Sequence, residues 1–167
     1  MKTLLRSGLN ISSLTTILCT GALILSGCMA SDNRSDTSGQ CPQPRDTELA
    51  SAHIASKHNP LMSSRENINA GEELFQDSAE PVACAQCHGK RGNGNGPMAK
   101  MFNPAPRDFT CAQTMAAIPD GQLYWIIKSG SIGTSMPAFN KLNDDQIWQL
   151  VSYLREFSRE AQKLTKK

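Results

Sequence analysis

The clearest hydrophobic period lies near the C-terminal end of the chain. Ile147, Leu150, Val151 and Leu154 recur at i, i+3, i+4 and i+7, a spacing that stacks apolar side chains on one helical face. Trp148, Tyr153 and Phe157 widen that face. Asn143 is placed to cap this helix and Gln146 stands at the capping-box position, while Asp144 and Asp145 suit the positive end of the helix dipole. An earlier helix is predicted over 68–76, with Leu74 and Phe75 apolar and Gly71 offering a surface for close approach. A middle helix is predicted to begin at Asp120, read as its N-cap, and to end at Ser129 before Gly130. Its Leu123, Tyr124, Trp125, Ile126 and Ile127 are expected to face the core and a pocket. The alternation of a half-buried strand appears nowhere. The pattern predicts an all-α domain over 67–160.

Upstream of that domain the composition changes. Lys2 and Arg6 precede a mostly apolar run over 11–25, which ends in Leu25, Ser26, Gly27 and Cys28. This is the pattern of a secretory signal over 1–27; Ser, Thr and Asn interrupt the run, which makes a permanent transmembrane helix the weaker reading. Leu-Ser-Gly-Cys resembles the bacterial lipobox, which implies a lipid on Cys28 and a membrane-anchored lipoprotein on the periplasmic face. Met29 rather than Asp follows that cysteine, which favours the outer membrane; without the lipid the protein is soluble in the periplasm. Residues 28–40 are too polar to bury a core and are expected to form a disordered tether spanning ~20 Å. Over 41–66, Pro42, Pro44 and Pro60 oppose long regular structure, apart from a short helix within 48–56. That segment is expected to wrap the domain surface, and residues 161–167 to form a basic tail.

Charge excludes one class of function. The chain has 17 basic and 15 acidic side chains, but Lys2 and Arg6 leave with the signal, so the mature chain carries 15 of each. A nucleic-acid binder needs a basic stripe. The cluster of Arg155, Arg159, Lys163, Lys166 and Lys167 reads instead as a solvated helix end.

Cys84, Ala85, Gln86, Cys87 and His88 carry the chemistry. In an exported chain, Cys-Xaa-Xaa-Cys-His marks the attachment of a c-type haem: two thiols add across the vinyl groups of one porphyrin edge, and the next residue, His88, ligates iron. A zinc half-site needs a second ligand pair, and a thioredoxin-like redox pair needs a βαβ setting; neither is found. The glycine-rich run over 89–97 has no preceding strand and no Lys-Ser/Thr ending, which rejects a phosphate loop. His53 and His58 read as exposed histidines rather than metal ligands.

The chain holds six cysteines. Cys19 leaves with the signal, Cys28 takes lipid, and Cys84 and Cys87 take haem. Cys41 and Cys111 remain, in a compartment where disulfides persist, and are expected to pair; the alternative is two free thiols. The enclosed loop is long, so the chain-entropy contribution of a bridge is roughly 4–5 kcal/mol as an upper figure.

A second axial ligand is sought among the methionines. Met136 lies between Gly133 and Pro137, in a loop between the middle and last helices, and its soft thioether favours ferrous iron and raises the potential. Met98, Met101 and Met115 are the other candidates, of which Met98 and Met101 read as core packing.

The order of first helix, Cys-Xaa-Xaa-Cys-His, glycine-rich loop, Met-Pro loop and terminal helix resembles the class I monohaem cytochrome c family. The resemblance implies an all-α fold around one haem c, with Cys84 and Cys87 as thioether attachments, His88 as proximal ligand and Met136 as distal ligand. It also implies that Gly71 and Phe75 meet Leu150 and Tyr153 where the first and last helices cross. A proline carbonyl, from Pro104 or Pro106, is expected to accept the Nδ1 proton of His88. The implied function is one-electron transfer between redox protein partners, with no nucleic acid and no small-molecule substrate. The alternative is a fixed haem subunit of a larger respiratory or dehydrogenase complex. A haem enzyme or gas sensor needs an open distal position, which Met136 opposes, and a di-haem peroxidase needs a second attachment motif.

Overall fold

The computed structural model describes residues 39–61 and 63–165. The signal, Cys28 and nearly all of the tether lie outside the described residues. In chain order, the helices are α1 (Ala52–Ala55), α2 (Arg65–Glu73), α3 (Ala85–His88), α4 (Ala112–Ala116), α5 (Asp120–Ser129) and α6 (Asp144–Thr165). A π-helical turn over Leu74–Ser78 continues α2, and a 3₁₀ turn covers Ala99–Met101. Among the described residues the only β feature is an isolated bridge between Asn93 and Asp108. No described helix is long and apolar enough to cross a membrane.

α6 organises the rest. Its capping box is complete: Gln146 N–H donates to Asn143 Oδ1 at 2.9 Å, and Asn143 N–H donates to Gln146 Oε1 at 2.9 Å. Ile147, Leu150, Val151 and Leu154 are each no more than 4% exposed, so the apolar stripe is the core face. The helix continues to Thr165, into the segment read as a basic tail. α2 crosses it at Gly71, where a Cβ would lie 2.1 Å from the Gln149 carbonyl oxygen and 3.0 Å from Tyr153 Cβ. Only glycine lets two backbones come that close. Phe75 then packs against Tyr153 and Phe157, with ring centroids 5.5 and 5.3 Å apart.

Four local expectations are corrected. α2 starts at Arg65 rather than at 68, because Ser64 accepts a hydrogen bond from Asn67 N–H at 3.2 Å and acts as its cap. Asp120 is the first residue of α5 and not its cap, which falls at Pro119. Its carboxylate is engaged by Arg155, whose Nε and Nη2 donate to Oδ1 at 2.8 and 2.6 Å. Arg155 also donates to the Ile118 carbonyl at 2.6 Å and to that of Met115. It therefore belongs to a bracket between α6 and the start of α5, not to a solvated helix end. Met101 is 71% exposed and packs in no core.

Residues 41–61 form a strap over α4, α5 and α6. Cys41 and Cys111 are joined by a disulfide, with Cα atoms 5.6 Å apart. Gln43 N–H donates to Thr114 Oγ1 at 3.0 Å, and Gln43 Oε1 accepts from Asp108 N–H at 2.8 Å. Further along, Gln122 of α5 accepts from Ala50 N–H at 2.8 Å and donates to the Glu48 carbonyl at 2.9 Å. Asn59 Nδ2 donates to the Trp148 carbonyl and Ser152 Oγ of α6, both at 2.9 Å. Gln43, Gln122 and Asn59 of this contact thus find hydrogen-bond partners across it, as burial of polar groups favours.

Candidate haem site

The attachment motif folds as a single turn. Cys84 precedes α3, and His88 N–H donates to the Cys84 carbonyl at 2.9 Å. So short a helix leaves its carbonyls without intrahelical partners. The glycine-rich loop supplies them: Gly94, Gly96 and Met98 N–H donate to the carbonyls of His88, Cys87 and Gln86 at 2.9, 3.0 and 2.9 Å. At Gly96 a Cβ would fall 2.4 Å from the Gln86 carbonyl oxygen, so glycine is what allows the loop this close. The role of the run over 89–97 is therefore to clamp the motif.

Cys84, Cys87, His88 and Met136 all line one cavity, of about 990 Å³ including its open mouth. Its wall is mostly apolar, with Phe75, Leu123, Ile127, Leu150 and Leu154 contributed by three helical elements. Burial pushes the Cys84 thiol up to about 12 and raises that of Cys87. Such thiols stay protonated near neutrality, whereas a catalytic redox pair depends on a lowered thiol pKa.

His88 is oriented from two sides. Its Nδ1 lies 2.9 Å from the Arg107 carbonyl oxygen; because a carbonyl only accepts, the proton sits on Nδ1 and Nε2 keeps its lone pair. Phe109 stacks on the imidazole with centroids 4.5 Å apart and planes 25° from parallel. Burial lowers the His88 pKa to about 4, against the raising effect of the Arg107 bond and with Arg45 and Arg107 adding to the fall. The expected acceptors, Pro104 and Pro106, are corrected to Arg107. A Cβ on Gly94 would lie 2.7 Å from the Pro106 carbonyl oxygen, so that carbonyl faces the glycine-rich loop. In extended chain, successive carbonyls point to opposite sides, and the next one reaches His88. Both prolines still line the cavity.

Met136 is presented by a self-braced loop. Thr134 Oγ1 donates to the Ser131 carbonyl at 2.7 Å and accepts from Met136 N–H at 3.2 Å. Ser131 N–H donates to the Met136 carbonyl at 3.2 Å, closing the turn. Of the other methionines, Met115 is 1% exposed in the core and does not line the cavity. Ile126 reaches the wall, but Tyr124 instead stacks on Trp148 at 4.5 Å, and Trp125 is half-buried away from the cavity. His53 and His58 are exposed. Sequence reasoning missed Arg45, Thr47, Arg107 and Phe109, all in the wall. None sits in a motif or a period; the only pointer was the pairing of Cys41 with Cys111, which ties their two stretches together.

The donor set fits a covalently held haem. Two thiols about one turn apart, an imidazole with Nδ1 engaged and a thioether share one apolar cavity. Comparison with known proteins agrees in kind. No curated protein matches the chain. Among solved structures, a chain of the Kuenenia stuttgartiensis reducing HAO-like protein complex Kustc0457/Kustc0458 is similar, with 29% identity and a TM-score of 0.50. The match covers 59% of this chain and 46% of that one, so it spans under half of the neighbour's length. The family model for Cytochrome c matches residues 68–158, from α2 through most of α6. The chain belongs to the cytochrome c family, all-α proteins that transfer electrons by means of a covalently bound haem.

Proposed function

We propose that this cytochrome is a one-electron carrier with a single haem, attached through Cys84 and Cys87, in which His88 and Met136 are the axial ligands. The observation that carries the reading is that an imidazole with Nδ1 engaged, two protonated thiols and a braced thioether line the same cavity. When bound, haem supplies an Fe(III)/Fe(II) couple, whose potential a methionine ligand raises. The bond to Arg107 and the stack on Phe109 fix the orientation of the His88 ring and the basicity of Nε2. Phe75, Leu123 and Leu150 keep water out. The electron donor and acceptor are redox proteins, meeting this chain briefly over a small interface.

The rest of the chain is read in the same frame: a signal over 1–27, lipid on Cys28, a tether over 28–40, the strap over 41–61 and the haem domain from α2 through α6. This places the carrier on the periplasmic face of a bacterial membrane, with the outer membrane favoured. A tether there raises the effective concentration of the carrier near membrane-bound partners. A second reading, a fixed haem subunit of a larger complex, draws on the similarity to a chain described as part of a protein complex. Co-purification in mild detergent separates the two: a carrier leaves alone, and a subunit brings stoichiometric partners.

The ligand assignment is tested with Met136→Ala in the haem-loaded protein. The expected result is loss of the methionine–iron charge-transfer band, a lower midpoint potential and carbon monoxide binding by the ferrous form. Carbon monoxide binding by the untreated wild type overturns it.

A further inference from the structure

The cavity wall holds two cations that the ligand set does not use. Arg107 belongs to the stretch that orients His88, whereas Arg45 comes from the strap, outside the residues matched by the family. Among the described residues neither guanidinium meets a carboxylate. Arg45 Nη2 donates to the Ala105 carbonyl, and its Nε is buried with no partner. Arg107 Nη2 reaches only Thr47 Oγ1, at 3.5 Å. Both guanidiniums stand in the mostly apolar cavity wall, partly withdrawn from water. Two like charges are thus desolvated side by side without compensation. Such an arrangement is costly unless an anion completes it.

The chemistry of that anion follows from the donors. A guanidinium offers a planar fork of N–H groups suited to a carboxylate. A haem held by thioethers on one edge carries two propionate carboxylates on another, which makes two anions for two cations. We propose that Arg45 and Arg107 neutralise the haem propionates, and that the disulfide-pinned strap delivers Arg45 as a potential-setting residue of the electron-transfer site. The inference rests on the haem reading above and extends it to a segment outside the family-matched domain. Arg45 is a positioning residue: it acts on the iron through the propionates and through its field. A fixed positive charge beside the haem favours the state holding one more electron, so it raises the potential. The strap reaches the cavity because the disulfide and the Gln43 bonds fix the chain immediately before Arg45.

The test uses the full haem-loaded chain and spectroelectrochemical midpoint potentials. Arg45→Gln is expected to shift the reduction equilibrium about tenfold toward Fe(III), a fall of about 59 mV for one electron, with the methionine–iron band retained. Arg45→Lys, which keeps the charge, is expected to recover most of that shift. Cys41→Ser with Cys111→Ser frees the strap and is expected to move the potential in the same direction. A potential unchanged in Arg45→Gln overturns the proposal, as does an equal shift in Arg45→Lys, which points to packing rather than charge. Each shift is read against the wild type's own potential. A wild type lacking the methionine–iron band therefore defeats Met136 ligation alone, and the Arg45 comparison still decides this inference.

Discussion

The two faces of the haem cavity are built on different plans. The His88 side is assembled from stretches far apart in sequence. α3 presents the ring, the Arg107 carbonyl 19 residues on accepts a hydrogen bond from its Nδ1, and Phe109 stacks on it while its own N–H donates to the Gly92 carbonyl at 2.7 Å. Phe109 in turn meets Phe75 edge-on at 6.2 Å. The Met136 side is held mostly by its own loop, through a threonine hydroxyl and a turn closed within six residues. Ile132 in that loop is 61% exposed. The first face opens only when the core opens; the second can open by local unfolding at lower cost. Under the proposed ligation, the histidine is the fixed pole and the methionine the adjustable one.

Substitution on each face separates the two plans. Phe109→Ala removes a buried ring that touches His88 and Phe75, and is expected to cost ~3–5 kcal/mol. Guanidinium unfolding of the haem-loaded protein measures this, and a loss below ~1 kcal/mol would show that the His88 side is not tied to the core. Thr134→Val removes the brace behind Met136 and is expected to cost only ~1 kcal/mol of global stability. The same variant should bind carbon monoxide in the ferrous form faster than the wild type; unchanged ligand access means the loop is held by something other than this hydroxyl. Smallest is Lys128→Met. Lys128 donates to Asp144 at 2.5 Å and to Tyr124 at 2.9 Å, tying the ends of α5 and α6 between which the loop hangs. The Lys128 and Asp144 side chains of this ion pair are 43% and 65% exposed, so the loss is expected to be ~0.5 kcal/mol or less. The hydrogen bonds from Lys128 and Tyr124 hold the Asp144 carboxyl below its ordinary value of 3.8. A depressed carboxylate stabilises above its ordinary pKa and loses that contribution as pH falls through the lowered one. The gap between wild type and Lys128→Met should therefore close in acid; a gap that persists there assigns the effect to packing.

The sequence was most legible where structure is local. The capping box of α6 and its apolar stripe could be read directly, because cap and period lie within one element. So could the attachment motif, whose spacing is its chemistry. The absence of strand patterning was sufficient for the fold class. Legibility failed where a side chain is used at a distance. Asp120 looked like a cap until Arg155 arrived from 35 residues away. The choice between Pro106 and Arg107 turned on which way one carbonyl faces, which no residue type encodes. Arg45 stood in a proline-rich stretch without period, and only the Cys41–Cys111 bridge brings that stretch to the cavity.

The two hydrogen bonds that Asn59 makes to α6 also fix an order of assembly. Their partners, Trp148 and Ser152, lie 89 and 93 residues further along the chain. The strap is synthesised before α6, yet its seat is made by that helix. Such non-local closure is slow to form. The haem-attachment turn, whose hydrogen bonds span 12 residues or fewer, can take shape while the strap is still undocked, and the face of the cavity that carries Arg45 is then the last to close.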